Sequence, residues 1–232
     1  MLGMPSTSNT PIVHPKIANE VLQDRITLLR ETVNPDERII IALAGVPGSG
    51  KSTVTAKLLA GLAREGIDDV AVVPMDGFHH SKATLATFPD PVEAFRRRGK
   101  PFTFDAAAFI QAVVKLRAVR VAKADDPSLA IWLPSFDHAI QDPVPRDICI
   151  PSTVRVVVIE GNYTLFNHSP WCAMAELAHE KSLAKQRLPK RHVTAGIEAT
   201  LEAGEKRAEE NDLPNGDLIM SSLIGPDMVL EG

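Results

Sequence analysis

The stretch Gly45-Val46-Pro47-Gly48-Ser49-Gly50-Lys51-Ser52 decides the fold, because it fits the pattern G-x-x-x-x-G-K-[ST] at every defined position. The apolar run that precedes it, residues 38–44, has the composition of a buried parallel strand. Apolar residues recur at helical spacing after it, at Val54, Leu58, Leu59 and Leu62. A strand, a glycine-rich turn and a helix N-terminus together form a phosphate cradle, because loop N–H groups and the helix dipole both favour an anion.

This P-loop predicts which residues hold a nucleotide. We expect the contacts to come from one continuous segment: Gly45, Val46, Pro47, Gly48, Ser49, Gly50, Lys51, Ser52 and Thr53. The Lys51 ammonium is expected to reach the β- and γ-phosphates, and the Ser52 hydroxyl to ligate Mg²⁺. The alternative is an ordinary glycine turn, which has no need of a strand before it and a helix after it.

The composition narrows the function classes. A chain of 232 residues with 44% hydrophobic content forms one domain with a substantial core. No apolar run approaches the roughly 18 residues of a membrane span, and a net charge of −4 argues against general nucleic-acid binding. Two cysteines form no disulfide framework, and residues 1–15 resemble neither a signal nor a transit peptide. We therefore expect a cytoplasmic protein without a membrane or nucleic-acid partner; the oligomeric state is left open.

The order of segments indicates how the domain is organised. Residues 1–14 are expected to be disordered, and residues 15–232 to form the P-loop domain. A helix is predicted to begin near Asp105, which would cap it. Three further segments read as strands, at residues 70–74, 154–159 and 227–230.

Acidic residues follow two of these predicted strands, Asp76 after the first and Glu160 after the second. The carboxyl ends of parallel strands meet at one edge of a sheet, so both acids would face the γ-phosphate. One carboxylate can hold Mg²⁺ or its water shell, while the other accepts the proton of an attacking hydroxyl. Either could instead cap a helix or form a salt bridge. The chain has neither the N-K-x-D motif of GTPases nor the L-S-G-G-Q signature of transporter ATPases.

A basic cluster lies late in the sequence. It consists of Lys181, Lys185, Arg187, Lys190, Arg191 and His192. Such a cluster can form a lid that neutralises charge on a moving phosphoryl group. The alternative is a solvated helix face.

Five motifs in this order resemble a known family. Besides the P-loop they are Asp76-Gly77-Phe78-His79, Arg98-Gly99-Lys100-Pro101-Phe102-Thr103-Phe104-Asp105, Pro134-Ser135-Phe136-Asp137-His138 and Val157-Val158-Ile159-Glu160-Gly161-Asn162. The set is similar to the superfamily of uridine kinase, phosphoribulokinase and bacterial-type pantothenate kinase. Within it, the likeness is strongest to fructose-transport-associated kinase-like proteins and their fungal ATP-dependent relatives. The resemblance implies a three-layer α/β/α P-loop NTPase fold with a mostly parallel sheet.

The resemblance also implies a reaction and roles for residues. The reaction is transfer of the γ-phosphoryl group of Mg²⁺-ATP to a hydroxyl of a small metabolite, such as a nucleoside, a sugar or a pantothenate-like compound. Lys51, Asp76, Arg187 and Arg191 would be catalytic, with Asp76 orienting the acceptor or taking its proton and the two arginines in the lid. Glu160 would lie near the metal with Ser52. The acceptor would contact Asp76, His79, Arg98 and His138, although His138 is also compatible with a structural role.

One segment departs from the family pattern. Family members have a strand between the Glu160 segment and the lid, but residues 171–187 are rich in Ala, Leu, Glu and Lys and contain no β-branched residue. We therefore expect helix from about residue 171, a helical lid around 181–197, and a sheet that lacks one strand beside the P-loop strand. If this strand is lost, the alternative to an active enzyme is a degenerate kinase that only binds ATP or hydrolyses it weakly. A scaffold is a third possibility.

Overall fold

The computed structural model describes residues 10–14, 16–185 and 213–231. Its main sheet has six strands: β1 (Ile12–Val13), β2 (Ile39–Ala44), β3 (Val70–Pro74), β6 (Val156–Gly161), β7 (Glu180–Lys185) and β8 (Met228–Glu231). They are parallel, in the order β1-β8-β7-β2-β6-β3. A separate antiparallel hairpin is formed by β4 (Ile131–Asp137) and β5 (Asp142–Ile150).

Helices cover both faces of the main sheet. They are α1 (Ala18–Thr32), α2 (Lys51–Arg64), α3 (Lys82–Leu85), α4 (Pro91–Arg96), α5 (Ala106–Ala118), α6 (Ala173–Leu177) and α7 (Leu213–Ser221). Side chains of β2 alternate between two cores. Ile39, Ile41 and Leu43 pack with α1 and α2, whereas Ile40 and Ala42 pack with α5, α6 and α7. The predicted three-layer α/β/α fold with a mostly parallel sheet is therefore confirmed.

The prediction of a missing strand is wrong. β7 pairs with β2 on one side and with β8 on the other, in the place beside the P-loop strand. Leu183 and Ala184 are buried in the two cores, and Glu180 forms an ion pair of 2.9 Å with Arg25 of α1. Hydrogen bonds on both edges and this burial outweigh the helical preference of the segment, because strand propensity depends strongly on context. Helix is found earlier in the segment, in α6.

Two predicted segments differ in part from the structure. Ile12 and Val13, expected to be disordered, pair in parallel with Val229 and Leu230 of β8. Residues 181–185, expected to begin a helical lid, belong to β7, and residues 186–197 lie outside the described part of the chain. Both segments pair with strands that are distant in sequence, β1 with β8 and β7 with β2 and β8. Local composition does not reveal such backbone hydrogen-bond partners. The strand β1 thus belongs to the main sheet although it lies before residue 15, the predicted start of the domain.

The hairpin of β4 and β5 was not predicted. The sequence of this hairpin contains prolines at positions 134, 143 and 145. Proline has no N–H to donate to a neighbouring strand, so its presence argues against a strand when the sequence is read alone. Ile131, Leu133 and Ile150 are nevertheless buried on its inner side.

Within the described ranges, none of the helices combines the length and apolar character that crossing a membrane would demand.

Candidate active site

The P-loop connects β2 to α2 in a conformation that glycine makes possible. Gly48 and Gly50 have φ of +74° and +87°, in the left-handed region, and a Cβ at either position would meet nothing within 4 Å. The N-cap of α2 is Gly50, which has no side chain with which to cap this helix end. The first N–H groups of a helix have no intrahelical partner. Open space at this turn and the N–H groups at the start of the helix fit a phosphate group.

Lys51, the first residue of α2, points back over the loop. Its ammonium donates hydrogen bonds to Gly45 O at 2.8 Å, Val46 O at 3.2 Å and Asn162 Oδ1 at 3.0 Å. Burial lowers the pKa of Lys51, while the charges of Asp76 and Glu160 act in the opposite direction. The two acids that the sequence placed at strand tips are therefore both electrostatic neighbours of this ammonium.

Glu160 lies beside the loop because of the strand register. It pairs with Leu43 of β2 and with Pro74 of β3, so its strand is flanked by both partners. The Ser52 hydroxyl donates to Glu160 Oε1 at 3.1 Å, and the Thr55 hydroxyl lies 3.4 Å from Oε2. Burial raises the pKa of Glu160, and Asp76 pushes it in the same direction against the effects of Ser52 and Lys51.

These oxygens suit the predicted metal. Mg²⁺ prefers oxygen ligands and usually combines one or two carboxylates with substrate phosphates and water. A hydroxyl and a carboxylate 3.1 Å apart, Ser52 and Glu160, border the open cradle. The donor set therefore fits Mg²⁺ bound together with nucleotide phosphates.

Asp76 and His79 lie on the 3₁₀ turn Met75–Phe78 and its end, immediately after β3. His79 Nδ1 is 2.8 Å from the backbone oxygen of Asp76. Because a carbonyl can only accept, Nδ1 carries a proton, and in the neutral ring Nε2 is an acceptor. Burial lowers the pKa of His79, which favours that neutral form, although the Asp76 charge opposes the shift. The ring packs 3.8 Å from Phe104 and 4.8 Å from Phe136, centroid to centroid.

Arg98 and His138 complete this side of the site. Arg98 donates to Gln141 O at 2.6 Å and bonds Asp142 Oδ1 at 3.1 Å, both at the end of the β4–β5 hairpin. Its guanidinium carbon is 5.6 Å from the Phe136 ring, and the His138 ring is 5.2 Å from that ring. Arg98 and His138 both act to lower the pKa of His79. The structure thus brings the predicted acceptor residues to one wall.

Two predicted site residues lie outside the described part of the chain, and two residues that contact the site were not predicted. Arg187 and Arg191 lie beyond the described residues, so their role in a lid stays a prediction. Asn162 and Thr55 contact Lys51 and Glu160 but were not singled out as site residues. Thr55 could have been found, since it lies three residues after Ser52 and therefore on the same helix face. Asn162 ends the motif Val157–Asn162, but its contact with Lys51 depends on the strand register, which the sequence does not give.

The known proteins that this chain is similar to are named as kinases or kinase-like proteins. No protein-family model matches the chain. It is 40% identical over 209 residues to a candidate uridine kinase of Schizosaccharomyces pombe, covering 87% of this chain and 86% of that protein. It is 41% identical over 165 residues to an ATP-dependent kinase-like protein of Aspergillus versicolor, covering 68% of this chain and 94% of that protein. Among solved structures, a candidate fructose transport system kinase from a Silicibacter species matches with a TM-score of 0.76 and 28% identity, covering 91% and 98% of the two chains.

Proposed function

Because this chain belongs to the P-loop kinases related to uridine kinase and to the fungal ATP-dependent kinase-like proteins, we propose that it transfers the γ-phosphoryl group of Mg²⁺-ATP to a hydroxyl of a small metabolite. The acceptor classes considered are those that the family resemblance implies: a nucleoside, a sugar or a pantothenate-like compound.

One observation carries the proposal. Two carboxylates, Asp76 and Glu160, act on the same Lys51 ammonium from neighbouring strand tips. Glu160 also bonds the Ser52 hydroxyl, so it is placed for the metal side, whereas the charge of Asp76 also acts on His79 in the predicted acceptor wall. A phosphate binder needs only the cradle. A second carboxylate near the same ammonium suits a reaction in which a hydroxyl gives up its proton.

Each group of site residues would have a separate role in phosphoryl transfer. The P-loop N–H groups and Lys51 would bind and orient the triphosphate, and Ser52 with Glu160 would hold Mg²⁺. The metal, when bound, supplies positive charge that stabilises the phosphate oxygens. Asp76 would accept the proton of the acceptor hydroxyl, and neutral His79 would offer Nε2 as a hydrogen-bond acceptor to the same molecule. Arg98 would line the acceptor wall while Asp142 neutralises its charge.

The alternative, an ATP-binding protein or weak ATPase, depends on the predicted loss of a strand beside the P-loop strand. β7 occupies that place between β2 and β8. No observation on the described residues now favours the degenerate form, so transfer is the function proposed.

The test is a metabolite screen that measures ADP release with Mg²⁺-ATP across nucleosides, sugars and pantothenate. We expect one acceptor class to stimulate ADP release, and Asp76→Asn to reduce that rate by about 10²- to 10⁴-fold, as for loss of a general base. Asp24→Asn, at an exposed position on α1, is the matched control and should keep the full rate. Stimulation that survives Asp76→Asn would remove this residue from catalysis, and the absence of stimulation by every compound would argue for the binder.

A further inference from the structure

Two consecutive side chains, Asn162 and Tyr163, connect the two halves of the proposed site. They follow the last residue of β6, Gly161. Asn162 Oδ1 accepts a hydrogen bond from the Lys51 ammonium at 3.0 Å, on the nucleotide side. The Tyr163 hydroxyl lies 2.6 Å from the backbone oxygen of Gly99, in the turn that carries Arg98 on the acceptor side.

The Tyr163 hydroxyl is an anchor inside the core. Its ring is fully buried, with aromatic neighbours at 5.4 to 5.5 Å: Phe104, Phe166 and Trp171. Burial raises the pKa of Tyr163, so the hydroxyl keeps its proton and acts as a donor. Besides Gly99 O, it lies 2.7 Å from Oδ1 of the buried Asn215 in α7, so its single proton is shared between two acceptor oxygens. A phenylalanine would fill the same volume, so the hydroxyl adds only these polar contacts.

The anchored carbonyl belongs to a turn with a defined shape. Gly99 has a φ of +104°, and its N–H donates to Thr103 Oγ1 at 3.0 Å. Its oxygen accepts from Tyr163 and also from Asn215 Nδ2 at 3.2 Å. Arg98 is the preceding residue, and its guanidinium reaches Asp142 and His80 O. The position of the Gly99 carbonyl therefore sets where Arg98 enters the acceptor wall.

We propose that Tyr163 and Asn162 are positioning residues for opposite substrates of one reaction. Tyr163 fixes the Arg98–Gly99 turn for the acceptor, and Asn162 fixes the Lys51 ammonium for the triphosphate. The assignment of sides rests on the proposed function. The pair gives each side its own hydrogen bond, so removal of one bond affects one substrate.

The test compares Tyr163→Phe with Asn162→Ala by two measurements that need no acceptor. Amide hydrogen exchange reports the turn at residues 98–104 and the P-loop at 45–53, and calorimetry with Mg²⁺-ATP gives the nucleotide Kd. Tyr163→Phe should speed exchange in the turn about tenfold, as for loss of one hydrogen bond, and leave the nucleotide Kd within about twofold. Asn162→Ala should weaken Mg²⁺-ATP binding about tenfold and leave exchange in the turn unchanged. Asn167→Ala, at an exposed position, is the control.

With the acceptor that the screen identifies, Tyr163→Phe should raise the acceptor KM about tenfold with kcat and the ATP KM nearly unchanged. Similar effects of both variants on both sides, or unchanged exchange and Kd, would overturn the proposal. If no acceptor is found, the proposed function fails, but exchange and calorimetry still decide whether the two residues act separately.

Discussion

Substitution of Gly45 by alanine tests how closely β7 lies against the P-loop. A Cβ at this position would lie 2.8 Å from the backbone oxygen of Ala184 and 3.2 Å from Cγ of Lys51, and it would overlap the Ser49 hydroxyl. The hydroxyl can rotate away. The Ala184 backbone cannot, because β7 is hydrogen-bonded to β2 and β8. The loop must therefore shift by several tenths of an ångström to reach an ordinary contact of about 3.5 Å.

Overpacking of this kind costs about 1 to 3 kcal/mol. We expect Gly45→Ala to lower the free energy of unfolding in urea by that amount and to weaken Mg²⁺-ATP binding in calorimetry, because the cradle moves. Gly216→Ala in α7 is the matched control: its Cβ would lie 3.6 Å from Val46 Cγ1, an ordinary contact, and stability should stay equal or rise by about 0.5 to 1 kcal/mol. A Gly45→Ala protein with wild-type stability and nucleotide Kd would refute the close approach of β7.

Three further predictions concern the cap, the metal and pH. Asp105→Ala removes the side chain that accepts from Ala108 N, so urea unfolding should show a loss of about 1 kcal/mol with an unchanged nucleotide Kd. Glu160→Gln should weaken ATP binding in the presence of Mg²⁺ but not in EDTA, in calorimetry; equal weakening in both would contradict its metal role. His179 Nδ1 accepts from Ile40 N, and burial followed by the charge of Arg117 lowers the pKa of His179. The unfolded chain therefore binds this proton more readily, and the free energy of unfolding should fall below about pH 6.5. The fall should be smaller in His179→Asn, which keeps an acceptor oxygen, and an equal fall would exclude His179.

Sequence patterns predicted correctly those features that depend on residues close together in the chain. The P-loop, the helix after it and the cap of α5 by Asp105 each depend on residues close in sequence, and the structure has them where expected. The strand Val70–Pro74 was found from its apolar run for the same reason. Glu160 needed one further rule, that parallel strands present their carboxyl ends at one edge.

Patterns failed where partners distant in sequence decide the structure. Lys181, Ser182 and Leu183 have no strand preference of their own, and their conformation follows from pairing with β2 and β8. Likewise, the bond between Asn162 and Lys51 joins residues 111 positions apart and follows from the register of β6 on β2. A single sequence without its neighbours in space cannot supply either contact.

The central claim is that the Lys51 ammonium at the start of α2 holds the triphosphate. The direct measurement is calorimetric titration of Mg²⁺-ATP into the wild-type protein, Lys51→Ala and the control Lys57→Ala, whose side chain is exposed on the same helix. A charge-assisted hydrogen bond contributes about 1.5 to 3 kcal/mol, so Lys51→Ala should weaken binding roughly ten- to hundredfold while Lys57→Ala matches the wild type. Equal affinity of Lys51→Ala and wild type for Mg²⁺-ATP would contradict the account.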